Sequence, residues 1–242
     1  MPPTPRPRWA LPLGVALGVT ATVSALSWFL PSRYAATGVG LAFLGATWLL
    51  VLRHDEVAIA RHGLSMGGLF EPGKISPRRL GRDAARALLL VVAVSLVVFP
   101  PFARGYPVYW ARAVGRALPW LGHPILVPKH FLDDALGQLL VIALPEEAFY
   151  RGYLQTALDG VWTRRVRVLG ADLGVSLIVT SAVFAVGHWL TDPHPSRLAV
   201  FFPSLLFGFM RARSGGIGAS VVFHAMCNLA VTVLGTNVGL IR

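Results

Sequence analysis

The chain has little of what builds a water-soluble domain. Charged residues fill only 14% of its 242 positions, against about 25% in an average soluble protein. It has one cysteine, Cys227, which excludes an internal disulfide and any CxxC metal site. Lysine is nearly missing, since Lys74 and Lys129 are the only two among 22 basic residues. The HExxH helix of many zinc peptidases does not occur. No internal repeat is visible, so the mark of many secondary transporters is missing as well.

What the chain has is hydrophobicity, with 55% apolar residues and a mean hydropathy of +0.61. A helix that spans a bilayer takes about 20 mainly apolar residues. Seven segments qualify: 11–30, 34–52, 85–102 closed by Pro100-Pro101, 131–158, 171–190, 196–210 and 216–234. The expected fold is all-α, a polytopic transmembrane bundle of about seven helices. A Pro/Arg-rich tail covers 1–10, membrane helices and loops cover 11–130, and a helical core that holds the unusual polar residues covers 131–242. The apolar run after the tail exceeds the roughly 7–15 residues of a signal-peptide core, so it reads as a retained first helix. The connection 54–81 is polar. The connection 104–129 carries Tyr106, Tyr109, Trp110 and Trp120, an aromatic density suited to the membrane interface.

The net charge of +11 raises nucleic acid as a partner. That reading is set aside, because the positive residues fall in short segments between apolar runs. Fourteen lie on the side of the N-terminus and seven on the other. By the positive-inside rule the N-terminus is cytoplasmic. The Arg-heavy, Ala/Gly/Val/Leu-rich composition suggests a bacterial inner (plasma) membrane.

Against this background the stretch "LPEEAFYRG", starting at Leu144, stands out. A charge at a bilayer helix centre costs about 2.5–3.5 kcal/mol on insertion scales. Glu147 and Arg151 are four apart, on one face, with the acid first, the better order for a pair. Glu146 lies about 140° around the helix from Arg151 and is left for other work. Two further apolar segments carry polar groups: His188 in "VFAVGHWL", with Phe184 one turn earlier, and His224 with Asn228 in "FHAMCN". Asp133 and Asp134 suit a helix start, where acids are favoured.

Taken singly, each of these groups has a structural explanation, an ion pair or a hydrogen bond between helices. Glu146, His188, His224 and Asn228 on three helices are too many costly groups for packing alone. A carboxylate beside an imidazole activates water, and an Asn amide and a His N–H are donors to an oxyanion. No nucleophilic side chain accompanies them, since Cys227 reads as a small buried residue. Glu146, His188 and His224 would also serve a divalent metal such as zinc. A proton relay in a small transporter and a non-catalytic scaffold or immunity protein are the other readings.

These motifs resemble those of the CPBP intramembrane protease family, which includes type II CAAX prenyl endopeptidases and bacteriocin-processing, Abi-like immunity proteins. The family pattern EExxxR, FxxxH, HxxxN appears here as "EEAFYR", "FAVGH" and "HAMCN", and the likeness runs from about 133 to 230. The resemblance implies a membrane peptidase with Glu146 as base, His188 supporting it, and His224 with Asn228 on the oxyanion. Glu147 and Arg151, with Phe184, would organise the site. The family has also been described as metalloproteases, which keeps a metal at Glu146, His188 and His224 open. The implied partner is a membrane-associated protein or peptide, such as a C-terminal sorting segment, within the lipid bilayer.

Overall fold

The structure is a computed structural model and describes residues 8–66, 75–115 and 125–238. Arg6 in the tail, Lys74, Arg116, Trp120 and Arg242, which the sequence reading used, lie outside the described residues. The elements are α1 (Ala10–Phe29), α2 (Ser32–Leu52), α3 (Glu56–Arg61), α4 (Pro77–Val114), α5 (residues 131–159), β1 (Val166–Val168), β2 (Ala171–Leu173), α6 (Val175–Thr191), α7 (Phe201–Ser214) and α8 (Gly218–Asn237). All seven expected membrane segments are helical, as α1, α2 and α4 to α8, and the protein is a helical membrane bundle. α1, α2, α4 and α8 are long and apolar enough to cross a membrane.

Three boundaries differ from expectation. Pro100 and Pro101 do not close the third membrane helix, for α4 continues through them and through Pro107 to Val114. Membrane helices tolerate proline where neighbouring groups satisfy the freed carbonyls. At 38 residues α4 is about 57 Å long, nearly twice the roughly 30 Å hydrocarbon core. Its first turns, with Arg78, Arg79, Arg82 and Arg86, therefore extend beyond the apolar run. The fifth segment does not begin at Ala171. Val166–Val168 pairs antiparallel with Ala171–Leu173, and Leu169 and Gly170 turn the chain at φ of +48° and +80°, the left-handed pair a two-residue hairpin turn requires. The sixth is delayed by a 3₁₀ turn over Pro195–Val200, so α7 starts at Phe201.

Polar staples close both ends of the bundle. At one end Arg211 Nη2 donates to the Arg61 carbonyl (3.0 Å), Arg213 Nε to the Leu169 carbonyl (3.0 Å) and the Ile217 amide to the Gly63 carbonyl (3.1 Å). Asp159 there accepts from Ser176 and pairs with Arg165. At the opposite end Trp28 Nε1 donates to the Leu190 carbonyl at 2.9 Å, and the Asn237 amide pairs with both backbone groups of Leu126.

α5 is the central helix. Residues 145–155 are all buried, with α1, α2, α6, α7 and α8 around them. A helix enclosed on every side carries no single apolar stripe, and Glu146 and Glu147 can both point inward although they are on different faces. α2 approaches α5 at Gly40, where a Cβ would stand 2.5 Å from the Val141 carbonyl oxygen. Small residues permit such backbone approach between membrane helices. Gly40→Ala is expected to lower the melting stability in detergent, by the roughly 1–3 kcal/mol typical of overpacking. Gly45→Ala, where a Cβ meets nothing within 4 Å, is expected to leave it unchanged. Equal melting of the two variants would contradict the close approach.

Candidate active site

The site is built from α5, α6 and α8, with α7 as its support. Arg151 and Glu147 are at most 1% exposed, and Arg151 Nε lies 3.3 Å from Glu147 Oε2, the pairing their spacing predicts. Two more interactions hold the guanidinium. Nη2 donates to Ser204 Oγ at 2.7 Å and to the Ser204 carbonyl at 3.2 Å, and the group lies 4.7 Å from the Phe184 ring centre and 5.2 Å from that of Phe207. Arginine over an aromatic face gains a cation–π attraction. One turn further along both helices, Gln155 Nε2 donates to the Gly208 carbonyl at 3.2 Å. A Cβ at Gly208 would stand 2.7 Å from Gln155 Oε1. The two rungs dock α5 on α7 and set the depth of the acidic pair.

Glu147 has a second partner that spacing did not reveal. Its Oε1 accepts from His224 Nδ1 at 3.0 Å. The His224 ring is stacked on Phe207, centres 4.7 Å apart and 16° between planes, and meets Phe184 edge-on at 5.7 Å. An ionised carboxylate only accepts, so Nδ1 carries the hydrogen and Nε2 is turned to Glu146, whose Oε2 lies 3.9 Å away.

His188 is oriented by its own helix. Nδ1 donates to the Phe184 carbonyl at 3.0 Å, and the ring lies 4.3 Å from the Phe184 ring. Nε2 is left as an acceptor, 4.0 Å from Glu146 Oε2. Helix ends alone place His188 and His224 at different depths. Helical side chains lean toward the N-terminus, which carries the His188 ring back to the level of Phe184, and Phe184 is in contact with His224. Both imidazoles thereby reach one carboxylate oxygen. That oxygen is buried and has no hydrogen-bond partner in the protein, and Glu146 as a whole is 8% exposed.

The structure thus gathers Glu146, His188 and His224, with Glu147, Arg151 and Phe184 beneath them. Asn228 is one turn beyond His224 on α8, and its Nδ2 donates to Gln138 Oε1 at 2.8 Å, which leaves its second amide hydrogen unspent. Sequence reading missed Gln138, Ser204 and Phe207. Gln138 carried one usable signal, an amide in the apolar run that leads to Glu146. Two π-helical stretches, Gly137–Ala143 and Ala148–Gln155, flank the acidic pair. Such turns recur at functional sites.

The donors do not match a closed zinc site. Ligand atoms around a tetrahedral zinc stand roughly 3.3 Å apart, closer than the 3.9 and 4.0 Å found here. Among the described residues no group of three or more His, Cys, Asp or Glu side chains is arranged to hold a metal ion.

No curated protein and no solved structure matches the chain. Residues 128–230 match a family described as Type II CAAX prenyl endopeptidase Rce1-like, a stretch that contains all three motifs. The segment that builds this site, in a helical integral membrane protein, is therefore similar to the Rce1-like type II CAAX prenyl endopeptidases.

Proposed function

We propose that the protein is an intramembrane endopeptidase that hydrolyses a peptide bond of a membrane-associated protein, with a water activated by Glu146 and His188. One observation carries the reading: the buried, unpartnered Glu146 Oε2 lies 4.0 Å from the acceptor nitrogen of His188. Two acceptors at that distance cannot bond each other. They suit one water that donates a hydrogen to each over about 2.8 Å. The family supports the class, a membrane protease.

In this reading Glu146 takes a proton from the water as its oxygen attacks the peptide carbonyl carbon. The resulting oxyanion is met by His224 Nε2–H and the free amide hydrogen of Asn228. Nδ1 of His224 already donates to Glu147, so Nε2 donates to the oxyanion only when it carries a hydrogen as well. Glu146 then passes its proton to the leaving nitrogen as the C–N bond breaks, which yields one new carboxylate and one new amine. Preorganised donors of this kind supply most of the stabilisation in acyl transfer. The basic residues Arg61, Arg165, Arg211 and Arg213 gather at the hairpin end of the bundle. By the positive-inside rule that end is cytoplasmic.

Purified protein in liposomes is expected to release fragments with a new amine terminus from a membrane-inserted peptide, at a rate unchanged by EDTA or phenanthroline. Inhibition by both chelators, reversed by added zinc, would assign Glu146, His188 and His224 to a metal instead. Solute flux without fragments would move the protein to the transporters.

A further inference from the structure

Away from the site, the first turns of α4 carry four arginines, Arg78, Arg79, Arg82 and Arg86, and a single acid, Asp83. All five side chains are on exposed residues. Arg82 Nε lies 3.7 Å from Asp83 Oδ1, with the two side chains 60% and 51% exposed, a surface pair of the weak kind. Arg78, Arg79 and Arg86 have no ion pair and no side-chain hydrogen bond among the described residues. Nothing in the fold uses these cations.

Their placement is not random. Arg78, Arg82 and Arg86 are four apart and form one row along the helix. The row looks away from the bundle. The inward side of α4 is marked by Val91, 1% exposed, and by Ala87, whose Cβ would stand 4.0 Å from a Cβ at Gly218 on α8. Arg82, Leu89 and Leu96 are seven apart, so they share a face with a drift of about 20° per step. Leu89 and Leu96 are both 72% exposed, which makes this the side that lipid tails contact. Residues 87–103 contain no charged side chain and span about 26 Å at about 1.5 Å per residue, close to the roughly 30 Å hydrocarbon core. Arg86 is therefore at one membrane boundary. Arg82 stands about 6 Å outside it, in the headgroup layer, with Arg78 and Arg79 at the outer edge of that layer.

We propose that the row Arg78, Arg82 and Arg86 on α4 is a binding surface for the phosphate headgroups of anionic phospholipids. The inference does not depend on the protease reading above. A face that meets lipid tails along its apolar length meets lipid headgroups at its charged end. A guanidinium takes a phosphate through two parallel hydrogen bonds, and clusters of basic residues next to a membrane helix recognise anionic lipid. The surface is at the hairpin end of the bundle, because Ala87 lies beside the start of α8. The lipid it holds is thus in the leaflet on that side.

The test uses the full-length protein in micelles of an uncharged detergent, with trace tail-labelled phosphatidylglycerol or phosphatidylcholine read by fluorescence anisotropy. The wild type is expected to bind phosphatidylglycerol at least tenfold more tightly than phosphatidylcholine. One basic residue at a membrane surface is worth about fivefold in affinity. Arg82→Gln is therefore expected to weaken phosphatidylglycerol binding about fivefold, and the triple variant Arg78→Gln, Arg82→Gln, Arg86→Gln to abolish the preference with phosphatidylcholine binding unchanged. Arg53→Gln removes one exposed charge at the same end, off the row, and is expected to have little effect. Equal affinity of the wild type for the two lipids, or a preference that survives in the triple variant, overturns the surface. A loss in Arg53→Gln as large as in Arg82→Gln also overturns it, since binding then follows net charge and not the row. Glycerophosphoglycerol, the headgroup without tails, is expected not to compete at the lipid's concentration. Equal competition would assign the arginines to a soluble phosphate and overturn the lipid. If the triple variant does not accumulate, Arg82→Gln and Arg86→Gln carry the comparison singly, and an unchanged preference in both overturns the surface.

Discussion

Glu146→Gln is expected to lower kcat by about a thousandfold, within the 10²–10⁴ range of general-base catalysis, while the protein accumulates in the membrane at the wild-type level. Gln has the shape of Glu and cannot take the proton. The substitution leaves the buried Glu147–Arg151 pair intact, and Glu146 Oε2 has no hydrogen-bond partner to lose. It also removes a carboxylate from a buried position, where a charge is costly. Fragment release at saturating substrate, measured beside a quantified membrane fraction, separates the two effects. Cleavage at the wild-type rate would show that another group is the base.

Arg151→Ala is expected to do the opposite: the protein fails to accumulate. Removal of one partner of a buried pair costs about 3–5 kcal/mol, a large share of the 5–15 kcal/mol that holds a typical folded protein together. Glu147, 0% exposed, keeps its carboxylate without a cation. Ser204 loses its donor, and the space between Phe184 and Phe207 is left unfilled. The damage reaches the chemistry as well, because Glu147 orients His224. Any Arg151→Ala protein that does reach the membrane should therefore be inactive. Arg151→Lys is expected to fall between, since a lysine keeps the charge but lacks the planar fork that serves Glu147 and Ser204 together. Membrane levels of Arg151→Ala equal to wild type, by quantitative immunoblot, would contradict the role given to this arginine.

The contrast between these two variants marks what was legible in the sequence. The Glu147–Arg151 pair follows from helical spacing, since neighbours four apart share a face whatever surrounds them. The helical membrane class follows from apolar runs, and the family from three short motifs in order. What was not legible depends on contacts between helices. Nothing in local spacing says that Glu147 also reaches His224, that Ser204 completes the Arg151 fork, or that Gln138 meets Asn228 across 90 residues of chain. The common depth of His188 and His224 is hidden for the same reason. Side-chain lean and the ring of Phe184 set it, and helix ends do not. The proline pair in α4 misled because the rule that ends helices at proline is calibrated in water, and a long lipid-exposed helix obeys it less. The hairpin straddles the expected helix start at Ala171, although Gly170 after the alternating Val166-Arg167-Val168 carried a turn signal.

The central claim is that this cluster cuts peptide bonds through Glu146. The most direct measurement is a comparison, by mass spectrometry, of the termini of membrane-associated proteins in cells that carry wild-type or Glu146→Gln protein at matched levels. The account predicts a defined set of proteins whose processed termini disappear only with Glu146→Gln, which would name both substrate and cut bond. An identical set of termini in the two cells, with Glu146→Gln fully accumulated and a cellular phenotype retained, would contradict it.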